Sequence, residues 1–413
     1  MKKFLVFSLL ILVAFSSCKR QNPKMTQLAA AVEDNLYHNI VPFWEKHAVD
    51  NIHGGFFGSV DSIGVGDTAS AKGVILNARI LWTFSSLHLK DKDAQSLKMA
   101  QRAYQYLIDH FIDKEYGGAY YTVDNRGNVI ANNKNTYGNA FVIYGLSEYH
   151  RATGNPEALE HAISVFTALD SHAHDAIYGG YLESFMRDWS PAPARGNMGQ
   201  GKSMNTSLHV MEALANLYRV WKSPLLESRL QEMVTIFLDK IINPETHLQN
   251  YTFAQDWTNR SNIKSYGHDI ECSWLLLESA EILCKKDLIK RSEAVCIAMA
   301  EAVAGNAIYP DGRMIYDVRG DEKPSPFVQW WAQAEAVVGC VNAWQLTGNE
   351  AWLDRALLVW QFTDATFVDH QHGEWYYDID RNGKLRTGAP KADAWKCPYH
   401  NGRMCMEVIR RAK

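Results

Sequence analysis

The chain contains no Cys-x-x-Cys pair, which removes the usual zinc and dithiol-redox frameworks from consideration. Six of its seven cysteines, Cys272, Cys284, Cys296, Cys340, Cys397 and Cys405, lie in the C-terminal third. Most occupy helical patterns as small apolar residues, so free thiols are expected. No stripe of lysine and arginine marks a nucleic-acid surface, and the net charge is only −4. Beyond the N-terminal segment no apolar run is long enough to span a bilayer. Nor does any linker or low-complexity stretch divide the chain. A nucleic-acid-binding protein, an integral membrane protein and a string of separate modules are thereby set aside.

What is present is a chain of 413 residues, 47% apolar and 12% aromatic, sufficient for a large buried core. Its first residues differ in kind. Lys2-Lys3, an apolar run from Phe4 to Phe15, and then Ser16-Ser17-Cys18 have the layout of a secretory signal, with a cysteine positioned for lipid attachment. Residues 1–24 are read as a lipoprotein signal and tether, and residues 25–413 as one catalytic domain. The expected location is the cell envelope, with membrane contact only through Cys18. Translation from Met25 would instead leave a cytoplasmic protein.

A short segment recurs: His53-Gly54-Gly55-Phe56-Phe57, Tyr116-Gly117-Gly118-Ala119-Tyr120-Tyr121, Tyr178-Gly179-Gly180-Tyr181 and His372-Gly373-Glu374-Trp375-Tyr376-Tyr377. Degenerate copies begin at His247 and Tyr309, so the starting points are 63, 62, 69, 62 and 63 residues apart. A fixed period signifies a repeat architecture. Each copy reads as a small β-hairpin with a glycine turn. Between copies the apolar residues recur at helical steps, giving twelve segments at roughly 25–48, 72–89, 92–112, 135–152, 156–172, 203–221, 224–241, 267–284, 287–304, 327–347, 350–368 and 398–411. The even-numbered segments are the more apolar, as in Val74-Ile75-Leu76, Phe141-Val142-Ile143, Trp274-Leu275-Leu276-Leu277 and Ala336-Val337-Val338. The fold predicted is all-α: six helical hairpins closed into an (α/α)6 barrel, even helices inside, with short β-hairpins in the loops between repeats.

The polar exceptions gather at one end of the inner helices. Arg79 lies in the second segment, Asn205 and His209 open the sixth one turn apart, and His268 and Glu271 open the eighth. Trp330 and Trp331 begin the tenth, Trp395 precedes Pro398, and His400 falls in the first turn of the twelfth. Five helices presenting such groups at the same end predict a shared pocket at one mouth of the ring. His268 and Glu271, three residues apart, share a helix face, which sets a carboxylate beside an imidazole kept neutral by the helix N-terminus. That combination suits proton abstraction near neutral pH. It also has metal-ligand spacing, but Asn205 with His209 makes a poor second ligand pair, so no metal is expected.

Met204-Asn205-Thr206-Ser207-Leu208-His209-Val210-Met211-Glu212-Ala213-Leu214 and Gly267-His268-Asp269-Ile270-Glu271 resemble the cellobiose 2-epimerases of the N-acylglucosamine 2-epimerase superfamily. So do Trp330-Trp331-Ala332-Gln333-Ala334-Glu335-Ala336 and Lys391-Ala392-Asp393-Ala394-Trp395-Lys396-Cys397-Pro398-Tyr399-His400. The resemblance runs from about Met25 to the C-terminus. It implies an (α/α)6 barrel that epimerises C2 of the reducing-end sugar in β-1,4-linked disaccharides without a cofactor. His268 and His400 match the family's essential histidines, Arg79 its arginine and Glu271 its glutamate. Asn205, His209, Trp395 and one of Trp330 and Trp331 match its binding residues. The expected chemistry is ring opening, removal of the C2 proton to a cis-enediolate, and reprotonation on the opposite face by a second histidine. Arg79 would stabilise the negative charge, Glu271 would orient His268 or hold a hydroxyl, and His209 would assist ring opening. The alternatives are an N-acylglucosamine 2-epimerase, an aldose–ketose isomerase, a glycoside hydrolase on the same barrel and a sugar-binding protein without activity.

Overall fold

A computed structural model describes residues 22–193, 201–319, 323–386 and 388–413. The signal-like segment with Cys18 lies outside the described residues. Twelve helices are present among those described. We number them α1 (Pro23–Asn35, continuing through a π-helical turn Leu36–Ile40 into Val41–His47), α2 (Val74–Asp91), α3 (Ala94–His110), α4 (Thr136–Thr153), α5 (Pro156–Ala173), α6 (Met204–Val220), α7 (Pro224–Ile236, with a π turn Phe237–Ile241), α8 (Tyr266–Leu283), α9 (Lys286–Asn306), α10 (Trp330–Thr347), α11 (Ala351–Thr366) and α12 (Tyr399–Arg411). The π turn in α1 sits just before Pro42, whose missing N–H and ring a wider turn accommodates without ending the helix.

The even helices form the inner ring. Each packs on the next, α2 on α4, α4 on α6, and onward to α12, which returns to α2 and closes the circle. Inner helices are enclosed on both sides, so nearly every position from Val74 to Ser85, and from Tyr266 to Leu277, is buried. Outer helices show the ordinary one-sided pattern: α3 buries Met99, Ala100, Ala103, Tyr104 and Leu107 and leaves its other face wet. The close antiparallel pairs begin on the inner helix, α2 with α3 through α10 with α11. The sixth pair joins the two ends of the chain, α12 with α1.

Loops that run from an outer helix to the next inner helix form a collar around one mouth. The strands expected there are present, but most pair between successive loops as well as within them. Lys72–Gly73 pairs with Thr122–Val123, Lys134–Asn135 with Ser184–Phe185, and Lys202–Ser203 with Thr252–Phe253, all antiparallel. A bridge between Val60 and Ala392 closes this collar too. Each Gly-Gly turn is held by a buried aspartate whose Oδ1 accepts two backbone N–H groups, as Asp50 does from Ile52 and His53. The second oxygen takes a buried lysine from the strand leading into the next inner helix: Lys72–Asp50 at 2.7 Å, Lys134–Asp113 at 2.7 Å, Lys202–Asp175 at 2.8 Å and Lys391–Asp369 at 2.5 Å. These four staples fix where α2, α4, α6 and α12 begin, and therefore where their first side chains point.

Because a buried charge left alone is costly, Lys72→Met should destabilise the protein by about 3 kcal/mol, with Asp50→Asn in addition recovering much of the loss. Chemical denaturation of the single and double variants measures both.

Candidate functional site

The mouth inside the collar opens onto a cavity of about 200 Å³. Arg79, Asn205, His209, His268, Glu271, Trp330, Trp331, Trp395 and His400 all line it, so the structure gathers every residue singled out from the sequence. Tyr137, Tyr316, Gln329, Tyr377 and Lys396 complete the wall. The helical side chains arrive from the first two turns of α2, α4, α6, α8, α10 and α12, and Tyr316, Gln329, Tyr377, Trp395 and Lys396 come from the collar, so six helix N-termini converge here and favour negative charge in the cavity.

His268 and His400 both pack against Trp331, whose ring centroid is 4.8 Å from the first imidazole and 5.2 Å from the second. Gly267 makes this possible, since a Cβ there would lie 2.6 Å from the Trp331 ring. Burial and the nearby His209, His400 and Arg79 hold His268 well below the ordinary imidazole pKa. Burial, Arg79 and Arg403 do the same for His400. Both rings are therefore neutral bases at pH 7. His400 Nδ1 lies 2.7 Å from Glu335 Oε1, and His209 Nδ1 lies 2.9 Å from Glu212 Oε2.

Glu271 departs from the expectation that it would sit beside His268. His268 Nδ1 meets the Ser265 hydroxyl at 2.6 Å instead. The Glu271 carboxylate is turned inward, with Oε1 accepting from Arg403 Nη2 at 2.5 Å and standing 3.8 Å from His400 Nδ1. The physical reason is Arg403, a buried cation one turn beyond His400. It also donates to Glu335 Oε1 at 2.7 Å and to Glu212 Oε1 at 2.5 Å. The Glu212 carboxyl is held at about 2: burial opposes its charge, but Arg403, His209 and Tyr399 outweigh that. Burial and the neighbouring Glu335 push Glu271 up to about 8, against the pull of Arg403. Glu335 is raised by burial as well. The Glu271–Glu335 pair thus keeps a proton at neutral pH. Glu271 Oε2 and Asn205 Oδ1 are buried at the cavity wall without a hydrogen-bond partner in the protein.

Glu271, Glu335 and His400 are also a group that could hold a metal ion among the described residues. Arg403 already supplies the positive charge at that point, and an ion would have to displace it. Trp330 is almost fully buried with Lys396 Nζ 4.3 Å over its ring, whereas Trp331 is partly open to the cavity. Trp395, 48% exposed at the rim, presents a free aromatic face. Arg79 donates to the Tyr137 hydroxyl at 2.7 Å and to the Trp395 carbonyl at 3.1 Å, which fixes its guanidinium at the cavity wall. Sequence reasoning passed over Glu212, Glu335, Arg403 and Ser265. A signal existed: Glu212 and Arg403 follow His209 and His400 by three residues, as Glu271 follows His268.

A model of the N-acylglucosamine 2-epimerase (GlcNAc 2-epimerase) family matches residues 55–401. A cellobiose 2-epimerase of Bacteroides fragilis is 40% identical over 394 residues, covering 92% of this chain and 98% of its own. Among solved structures, a sugar epimerase from a ruminal bacterium superposes with a TM-score of 0.89 at 34% identity, covering 93% of this chain and 99% of that one. The cellobiose 2-epimerase from Bacillus thermoamylovorans B4167 gives a TM-score of 0.88 at 32% identity, covering 94% and 100%.

The raised Glu271 has a consequence for stability. Its folded pKa of about 8 exceeds the ordinary 4.5, so the folded state binds the proton more tightly. The associated stability is complete below about pH 4.5 and is lost as pH rises toward 8. Glu271→Gln should flatten this part of the stability profile and melt higher than wild type at pH 8.5, which thermal melts across pH 5 to 8.5 test.

Proposed function

The chain belongs to the N-acylglucosamine 2-epimerase family and is a sugar epimerase, and from that premise we propose that it inverts C2 of the reducing-end sugar of β-1,4-linked disaccharides. The observation that carries this reading is the pair of neutral imidazoles flanking one cavity, backed by Arg79. The name of the 40%-identical relative supports the disaccharide. So does the exposed Trp395 ring at the rim, where a second sugar could stack.

In this reading the substrate ring opens first, because C2–H is acidic only beside a carbonyl. His209, which lines the cavity and is held through Nδ1 by Glu212, is the candidate to assist this step. One histidine then takes the C2 proton. The planar enediolate is stabilised by Arg79 and by the converging helix N-termini. The other histidine returns a proton to the opposite face. For His400 that proton is replenished through Nδ1 by the Glu335–Glu271 pair, which still carries one at pH 7. No metal or nucleotide enters the scheme. A hydrolase needs carboxyl groups flanking the scissile bond from opposite sides. Here Glu271 and Glu335 share one Arg403 nitrogen, so they do not oppose each other across a substrate.

Cellobiose should give glucosyl-mannose and mannobiose should give mannosyl-glucose, unaffected by EDTA. In D2O, deuterium should enter C2 of the epimer sooner than C2 of recovered substrate, as followed by NMR. His268→Ala and His400→Ala should each reduce epimerisation by at least about 10²-fold. A ketose as the main product would make the protein an aldose–ketose isomerase. Near wild-type epimerisation by either histidine variant would defeat the two-base scheme.

A further inference from the structure

Ser265 occupies the N-cap position of α8, yet its side chain caps no helix N–H. Two other inner helices open on a serine or asparagine, and there the side chain takes the customary partner. Asn135 accepts from Gly138 N at 2.9 Å, and Ser203 accepts from Thr206 N at 3.1 Å. Their backbones are extended, with ψ of 124° and 153°, whereas Ser265 has ψ of 79°. That rotation carries its hydroxyl away from the helix and onto His268 Nδ1. The duty it abandons is met from elsewhere: Gly267 N, the second N–H of the helix, donates to the Tyr316 carbonyl at 3.1 Å. Tyr316 also faces the His268 imidazole, with ring centroids 6.1 Å apart, so the residue that caps the helix borders the same histidine.

We propose that Ser265 is a positioning residue for His268: freed from capping, its oxygen accepts the Nδ1–H and holds the tautomer whose Nε2 lone pair faces the sugar. A free neutral histidine favours the other tautomer, with hydrogen on Nε2 and nothing to offer a C–H bond. His400 is held through the same nitrogen, but by the Glu335 carboxylate. The two bases therefore differ in kind. The acid pair draws His400 into a proton-supplying couple, while the uncharged hydroxyl orients His268 and adds no charge. Arg79, His209 and His400 face His268 from α2, α6 and α12, Tyr316 faces it from the collar, and its own hydrogen-bond partner, Ser265, carries no charge. The inference rests on His268 being one of the two proton-transfer bases.

The test compares Ser265→Ala, Ser265→Gly, Ser265→Thr, Ser203→Ala and His268→Ala in full-length protein with cellobiose as substrate. Ser265→Ala and Ser265→Gly should lower kcat about 100-fold with KM nearly unchanged. Glycine is accepted at an N-cap position, so that variant folds even where alanine does not. Melting temperatures should stay at the wild-type value. The 15N shifts of the His268 ring should move from Nδ1–H toward a mixture with Nε2–H. Ser265→Thr should restore most of kcat and the wild-type ring pattern. Ser203→Ala should do the reverse, lowering the melting temperature by about 1–3 °C with kcat close to wild type. Wild-type kcat in Ser265→Ala or Ser265→Gly overturns the proposal. So does a loss of kcat that tracks melting temperature with the ring nitrogens unaltered. Wild-type activity in His268→Ala would instead refute the two-base scheme, and the 15N shifts would still report whether Ser265 sets the tautomer.

Discussion

The centre of the ring depends on one buried guanidinium. Arg403 stands within hydrogen-bond distance of carboxylates from three other inner helices, Glu212 on α6, Glu271 on α8 and Glu335 on α10. Three ionised acids around one cation would leave net negative charge in a region of low dielectric, which is costly. The arrangement is tolerable because a proton remains on Glu271 and Glu335. That proton leaves an acidic group beside neutral histidines at pH 7. A network that looks structural therefore sets the protonation state of the chemistry above it.

Much of the architecture was legible in the sequence because the repeat imposes itself twice. The Gly-Gly-aromatic segment marks each collar turn, and the all-round apolar character of Trp274-Leu275-Leu276-Leu277 marks a helix enclosed on both sides. The pairing was less legible. Short connections such as Arg151–Pro156 follow an inner helix, and the sixth hairpin joins α12 to α1 across the whole chain, which no local signal announces. The lysine–aspartate staples escaped notice for a related reason. Their members are 21 to 27 residues apart, at the two ends of one long loop.

The cavity residues were legible as types at one end of helices, but their partners were not. A three-residue spacing says that His268 and Glu271 share a face, not which way either turns. Arg403, farther along in sequence, captures Glu271 because a full positive charge outbids a neutral imidazole for a carboxylate. Ser265 then fills the position left beside His268. One distant residue thus reassigns two local pairs.

The order of the chain has its own consequence for the site. His400 sits on the last inner helix, and Arg79, which donates to the carbonyl of Trp395, on the first. α12 is held in place by α1 and by the collar: Trp44 donates to Glu374 Oε2 at 2.6 Å, and Asn401 and Lys396 donate to Glu374 Oε1 at 2.7 Å and 2.8 Å. Arg79 and the segment carrying Trp395 and His400 therefore meet only once the ends of the chain have joined. Contacts spanning more than 300 residues carry a loop-closure cost that local hairpins reduce. An incomplete ring would hold five hairpins and His268 but lack the wall that Trp395, Lys396 and His400 supply. Closure of the toroid and completion of the cavity are therefore one event, and the last segment of the chain decides both.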